Sequence, residues 1–365
     1  MGAASPIVAA EPAVVLSDGL GPLVARLHAR GCAVVAPVAR NGVLTLAEIA
    51  SVDEIATGWT DTQEPGRYRA EPTGSGSFGH AAPASPWKRW LVPERAVVVR
   101  VRTTATQTVV EEPDATGTPL AFVGIQACDL AAIARLDVVF EHDEAYQARR
   151  DQLLIVSVAC TTPAADCFCA SAGTGPWPGP GADVVLRELD DGTLLATAAT
   201  DAGSQLLDEI GPLPEADPAM VDAAEQRIAR GAALQTRHLD PTAIAAAAAS
   251  PEGPGWEAVA ERCLTCGNCT FVCPTCFCTS VTDSSSLDGT EFERTQRWDS
   301  CFSLDFAHVH GGTVRASATS RYRQWYLHKL VTWHDQFGES GCVGCGRCIT
   351  WCPTGIDITE AIVHD

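Results

Sequence analysis

Short apolar runs rich in β-branched residues punctuate the first two hundred positions: Cys32 to Val38, Ala96 to Val101, Leu120 to Ile125, Leu153 to Val158 and Val184 to Leu189. Stretches of helical character separate them, and this alternation predicts an α/β domain spanning residues 1–215. Two passages interrupt it. Glu64 to Pro86 is rich in Gly, Pro and Ser and reads as an extended surface loop, and Gly173 to Gly181 holds too many turn residues for regular structure. Both could lie against something.

From Asp217 the pattern becomes helical. Asp217-Pro218 suits an N-cap and first turn, and Val221, Ala224 and Ile228 recur at helical spacing. Asp240-Pro241 opens a second helix through an alanine stretch, which stops at Pro251-Glu252-Gly253-Pro254-Gly255. Residues 216–250 therefore form a helical connector ahead of a last domain, 251–365. Within that domain Arg321 to Phe337 reads as helix with Trp325, Leu330 and Trp333 on its apolar face, and Gly338 suits its C-cap. The expected architecture is α+β and multidomain.

Composition narrows the function classes. Hydrophobic residues make up 46% and charged residues 19% of 365 positions, a globular balance. No apolar run approaches the roughly eighteen residues needed for a membrane span. Met1-Gly2-Ala3-Ala4-Ser5-Pro6 lacks the basic region and apolar core of a secretory signal, so the cytoplasm is the expected compartment. A formal charge of −20 argues against nucleic acid as a partner, because neutralising phosphates takes clustered Lys and Arg. The sequence carries no phosphate-cradling G-x-x-x-x-G-K-[ST], no G-x-G-x-x-G after a strand and no H-E-x-x-H. The chain is expected to have no catalytic site of its own.

Sixteen cysteines change the picture. In a cytosolic chain of this size they point to metal rather than to disulfides. Cys263, Cys266, Cys269 and Cys273-Pro274 fit C-x2-C-x2-C-x3-C-P, as do Cys342, Cys345, Cys348 and Cys352-Pro353. Three thiolates spaced by two residues can wrap one face of a four-iron cube, and the fourth cysteine of each motif ligates the other cluster. One [4Fe–4S] cluster is thus expected on Cys263, Cys266, Cys269 and Cys352, a second on Cys342, Cys345, Cys348 and Cys273. Zinc, which favours paired C-x2-C knuckles, fits poorly. The aromatic helix face is expected to be core around the clusters.

Eight cysteines remain. Cys128 follows one predicted strand, Cys160 ends another, and Cys167-Phe168-Cys169 lies just beyond. Strand ends of an α/β sheet converge on one edge, so these four could hold a third cluster; the alternative is four buried, reduced thiols. Cys276, Cys278 and Cys301 form an odd set beside the first motif, and Cys32 reads as a core residue. His308 and His310, at alternate positions, read as solvated rather than as a metal pair.

Several of these stretches together resemble a known family. They are Cys273-Pro274-Thr275-Cys276-Phe277-Cys278, Arg297-Trp298-Asp299-Ser300-Cys301, His328-Lys329, and Cys342-Val343-Gly344-Cys345-Gly346-Arg347-Cys348. Further upstream are Gly124-Ile125-Gln126-Ala127-Cys128-Asp129-Leu130, Tyr146 with Arg149-Arg150, and Cys167-Phe168-Cys169 before Gly173-Thr174-Gly175-Pro176. From about Leu91 onward the chain resembles the iron–sulfur beta subunit of cytosolic nickel–iron sulfhydrogenases. The same family includes an iron–sulfur subunit of anaerobic sulfite reductase. It often has Arg-Pro where this chain has Gln126-Ala127, and Met where it has Ala172.

The resemblance implies a helical two-cluster ferredoxin domain of the kind found in multi-subunit oxidoreductases. It also implies an electron-transfer subunit relaying between nickel–iron hydrogenase large and small subunits and an FAD/NAD(P)-binding subunit. The competing readings are the sulfite reductase iron–sulfur subunit, or else an iron–sulfur regulatory or binding module.

Overall fold

A computed structural model describes residues 12–74, 76–112, 117–360 and 362; the Met1–Pro6 stretch read above for a leader lies outside them. In chain order the main strands are β1 (Val14–Val15), β2 (Ala33–Arg40), β3 (Val43–Ile49), β4 (Trp59–Glu64), β5 (Arg67–Pro72), β6 (Arg95–Thr103), β7 (Thr108–Glu111), β8 (Leu120–Gln126), β9 (Leu153–Val158), β10 (Val184–Glu188), β11 (Leu194–Ala198), β12 (Thr279–Ser285) and β13 (Glu291–Trp298). Seven of them form one sheet in the order β1-β11-β10-β9-β8-β2-β3. Its centre is parallel: β8 pairs with β2 on one side and β9 on the other, and β9 pairs with β10.

Both faces of this sheet are covered, which is why its strands are near-continuous apolar runs. Alternate residues point to opposite layers. Val34, Val123 and Val156 pack with Leu23 and Leu27 of helix Gly21–Ala29 and Leu206 of helix Asp201–Ile210. Val35, Phe122 and Ile155 face the other way, onto Leu130, Ile133 and Leu136 of helix Ala127–Val139 and Tyr146 of helix Glu144–Arg150. The predicted α/β pattern is therefore present, with strands at Leu120–Gln126, Leu153–Val158 and Val184–Glu188 close to their expected bounds.

The run at Ala96 to Val101 is a strand, but it belongs elsewhere. As β6 it joins a separate four-stranded sheet, β12-β13-β6-β7, pairing antiparallel with β13 from the segment between the two cysteine motifs. That segment thus supplies a β-hairpin as well as the expected helix. The helix itself runs Ala318–Leu327 and Trp333–Phe337, joined by a wider π turn at His328–Thr332, and ends at Gly338 with φ 76°.

Asp217 and Asp240 cap their helices as expected, accepting from the backbone N–H of Ala219 and Thr242. The passage Glu64–Pro86 is less irregular and less exposed than its composition suggests. It begins in the β4–β5 hairpin, and Phe78, His80, Ala81 and Ala82 are buried. Gly124 makes room for Phe78: it sits at a register shift in β8 with φ +85°, and a Cβ there would come 2.3 Å from the Phe78 ring. A bulge at this point re-aims the strand end that leads to Cys128. Among the described residues no helix is long and apolar enough to cross a membrane.

Candidate metal centres

The two cysteine motifs fold into matching loops. In Cys263–Cys269 the left-handed positions are Thr265 (φ 50°) and Gly267 (φ 79°); in Cys342–Cys348 they are Gly344 (φ 63°) and Gly346 (φ 75°). These reversals curl each loop around its own sulfurs. Thr265 N–H points at Cys263 Sγ at 3.4 Å and Gly344 N–H at Cys342 Sγ at 3.5 Å, the donors an anionic cluster sulfur needs. Short helices Asn268–Phe271 and Arg347–Thr350 follow and pack together.

That packing exchanges the fourth cysteines. Cys263, Cys266, Cys269 and Cys352 line one cavity of about 30 Å³, with Cys348 at its edge. Cys273, Cys342, Cys345 and Cys348 line another of about 20 Å³. Trp325 lines both, so the aromatic helix face packs around the cysteines. Burial pushes the Cys269 and Cys348 thiols well above their usual range and Cys342 up to about 12, with neighbouring sulfurs adding to the effect. Such thiols become anions when a cationic iron core replaces their protons, so the donor sets fit clusters. Among the described residues no three His, Cys, Asp or Glu side chains draw close enough to share a single metal ion.

Cys273 stands apart electrostatically. A hydrogen bond from Cys276, with Lys329 and Lys88 nearby, holds its thiol well below the usual range despite burial. Lys329 Nζ donates to Cys273 Sγ at 3.2 Å and to Thr275 Oγ1 at 2.9 Å. Burial opposes this ammonium, but the sulfurs of Cys273, Cys276 and Cys342 keep it charged, well above the ordinary lysine value. A fixed positive charge favours the reduced form of a cluster bound there. Lys329→Met is therefore expected to lower that cluster's potential by on the order of 100 mV in an EPR-monitored redox titration. An unchanged potential would count against the contact.

The four N-terminal cysteines lie at one edge of the sheet. β8 and β9 run parallel, so Cys128, the second residue of the helix after β8, and Cys160, just past β9, emerge at the same sheet edge. Cys167 and Cys169 return to it. Cys128 packs with Cys169, Val343 and Cys345, while Cys169 adds to the raised pKa of both Cys160 and Cys167, and Cys160 to that of Cys167. Burial is the main cause, taking Cys160 to about 12, Cys169 to about 11, and Cys128 and Cys167 well above the usual value. Gln235 Nε2 donates to Cys169 Sγ at 3.3 Å. The set therefore abuts Cys345 of the second motif.

The second motif loop is seated on this edge by direct contacts. Phe168 N–H donates to Gly344 O at 2.8 Å, Thr174 Oγ1 to Val343 O at 2.7 Å and Thr350 Oγ1 to Asp166 Oδ2 at 2.8 Å. Phe168 itself is buried in the core of the C-terminal region beside Trp325 and Ile349. Arg347, between Cys345 and Cys348, pairs with Asp129 through two bonds of 2.9 and 2.6 Å, both side chains being 1% exposed, and its Nε donates to Pro83 O at 2.6 Å. The nearby negative charges of Asp129 and Cys345 raise the guanidinium pKa despite burial.

Of the remaining sequence candidates, Cys32 lies in the sheet core, and His308 is exposed with its Nδ1 3.2 Å from Thr313 Oγ1. Cys276, Cys278 and Cys301 line a separate cavity. Gln235 and Lys88 are site residues that sequence pattern did not reveal; Asp129, Lys329 and Arg347 fall in the stretches that carry the family resemblance, but their burial and pairing were not readable there. Arg347 carries a signal of its own, a charge inside a metal-binding loop.

Residues 262–356 match the model of the 4Fe-4S dicluster domain. The chain is 30% identical over 334 residues to sulfhydrogenase 2 subunit beta of Pyrococcus furiosus, an alignment covering 90% of that protein and 89% of this chain. With both cysteine motifs inside the dicluster match and the alignment running through the N-terminal sheet, the chain belongs to the iron–sulfur sulfhydrogenase beta-subunit family.

Proposed function

We propose that the chain is the electron-relaying subunit of a cytoplasmic, heteromeric nickel–iron hydrogenase linked to NAD(P). Its partners are large and small hydrogenase subunits together with an FAD/NAD(P)-binding subunit. In this reading Cys263, Cys266, Cys269 and Cys352 hold one [4Fe–4S] cluster, Cys342, Cys345, Cys348 and Cys273 a second, and Cys128, Cys160, Cys167 and Cys169 a third. Bound clusters supply one-electron transfer by tunnelling, and the chain's residues bury them, donate N–H groups to their sulfurs and set their potentials.

The supporting observation is continuity. Cys128 and Cys169 pack against Cys345, and Cys348 of that motif reaches the cavity lined by Cys263, Cys266, Cys269 and Cys352. A line of sulfurs thus runs from the sheet edge to the far loop. The family relationship to a sulfhydrogenase subunit supports the choice of complex.

Affinity purification of the chain with its natural partners tests that choice. A flavoprotein and a nickel-containing protein are expected, whereas a siroheme partner would overturn the reading in favour of sulfite reduction. The third cluster has its own test. Cys167→Ser/Cys169→Ser should carry about four fewer irons per chain than the wild type after anaerobic preparation. Equal iron would return those thiols to the core.

A further inference from the structure

Cys276, Cys278 and Cys301 are not among the ligands assigned above, although Cys276 touches Cys273 of the second site, and the fold gathers them on an open cavity of about 360 Å³. Cys276 and Cys278 leave the first motif just before β12, and β13 brings the chain back to Cys301. Asp299 N–H donates to Cys278 O at 2.9 Å at the base of this hairpin, and the Cys278 and Cys301 thiols are hydrogen-bonded. Arg315, His328 and Lys329 line the same cavity. The π turn at His328–Thr332 carries two of these, and such turns are frequent at functional sites.

Two lysines beside the cavity expose an imbalance of charge. Lys88 is 5% and Lys329 3% exposed, and among the described residues neither forms an ion pair with a carboxylate. A buried ammonium is costly without a counter-charge. Lys329 faces Cys273 and is answered by the second ferredoxin-type site. Lys88 instead donates to the Cys276 carbonyl and lies 4.2 Å from the centre of the Trp298 ring; burial holds its pKa below the ordinary lysine value, and the sulfurs of Cys276, Cys273 and Cys278 act against that.

We propose that Cys276, Cys278 and Cys301 hold a further iron–sulfur cluster through three thiolates, its fourth iron facing the open cavity. Each thiol releases its proton as its iron–sulfur bond forms, and the anionic cluster places further negative charge beside the buried Lys88. Three soft donors suit iron in a sulfide cluster, not a hard cation such as Mg²⁺. The fourth iron, without a protein ligand, takes a small anion from solution. The site is independent of the Cys128 group, so either can fail alone.

The test compares the anaerobically prepared full chain with Cys278→Ser/Cys301→Ser. Iron and acid-labile sulfide are measured, and EPR spectra are recorded after dithionite reduction, with and without cyanide. The double variant should lose about four irons while the ferredoxin-type signals persist. Cyanide should shift one signal in the wild type and none in the variant. Equal iron, loss of the ferredoxin-type signals together with the iron, or recovery of a Cys278–Cys301 disulfide from the wild type would each overturn the proposal. If the double variant does not accumulate, Cys276→Ala is measured instead: the same loss with both ferredoxin-type signals retained is expected, and unchanged iron, or loss of either ferredoxin-type signal, overturns the proposal.

Discussion

Replacing Arg347 with Met is expected to destabilise the chain by about 3–5 kcal/mol and to free the loop that carries Cys345 and Cys348. The reason is asymmetry. The Arg347 and Asp129 side chains are both 1% exposed and bind each other through two hydrogen bonds. Removing the guanidinium leaves the Asp129 carboxylate and the Pro83 carbonyl without their partner in a buried site. Replacing both members, Asp129→Leu with Arg347→Met, is expected to recover much of the loss, since an apolar pair of similar volume leaves no buried charge. Urea midpoints followed by circular dichroism, in a double-mutant cycle, give the coupling. A single Met variant within about 1 kcal/mol of the wild type would contradict this reading of the pair.

Gly344→Ala comes next, at about 2–4 kcal/mol, with loss of iron from the second ferredoxin-type site. A Cβ at Gly344 would stand 2.6 Å from Cys169 N and 2.7 Å from Cys169 Cα, backbone atoms that cannot swing aside. The left-handed φ of +63° adds its own penalty. Gly338→Ala separates the two effects. Its φ is +76°, but a Cβ there meets nothing within 4 Å, so only the conformational cost of about 1–2 kcal/mol should appear. Equal losses in the two variants would mean that the close approach of the Cys342–Cys348 loop to the Cys167–Cys169 loop does not matter.

Both predictions concern a seam that local pattern could not show. The strands at Leu120–Gln126 and Leu153–Val158 were legible because burial on both faces writes an apolar run into a short segment, and the Asp-Pro helix starts because capping is local. The cysteine motifs were legible because a cube fixes ligand spacing. Arg347 and Asp129 are 218 positions apart, and nothing in either neighbourhood names the other. The same holds for β6, whose apolar run gave no hint that it pairs with β13 rather than joining the main sheet. Lys88 and Lys329 look like surface residues until the fold buries them against sulfur.

The proposed relay of electrons from hydrogen oxidation along the cysteine-held clusters has one direct measurement. The anaerobic complex is oxidised, exposed to hydrogen gas alone and frozen for EPR. The reduced-cluster signals of this chain are expected to appear, assigned by comparison with a complex carrying Cys167→Ser/Cys169→Ser. Clusters that respond to dithionite but stay oxidised under hydrogen would contradict the relay.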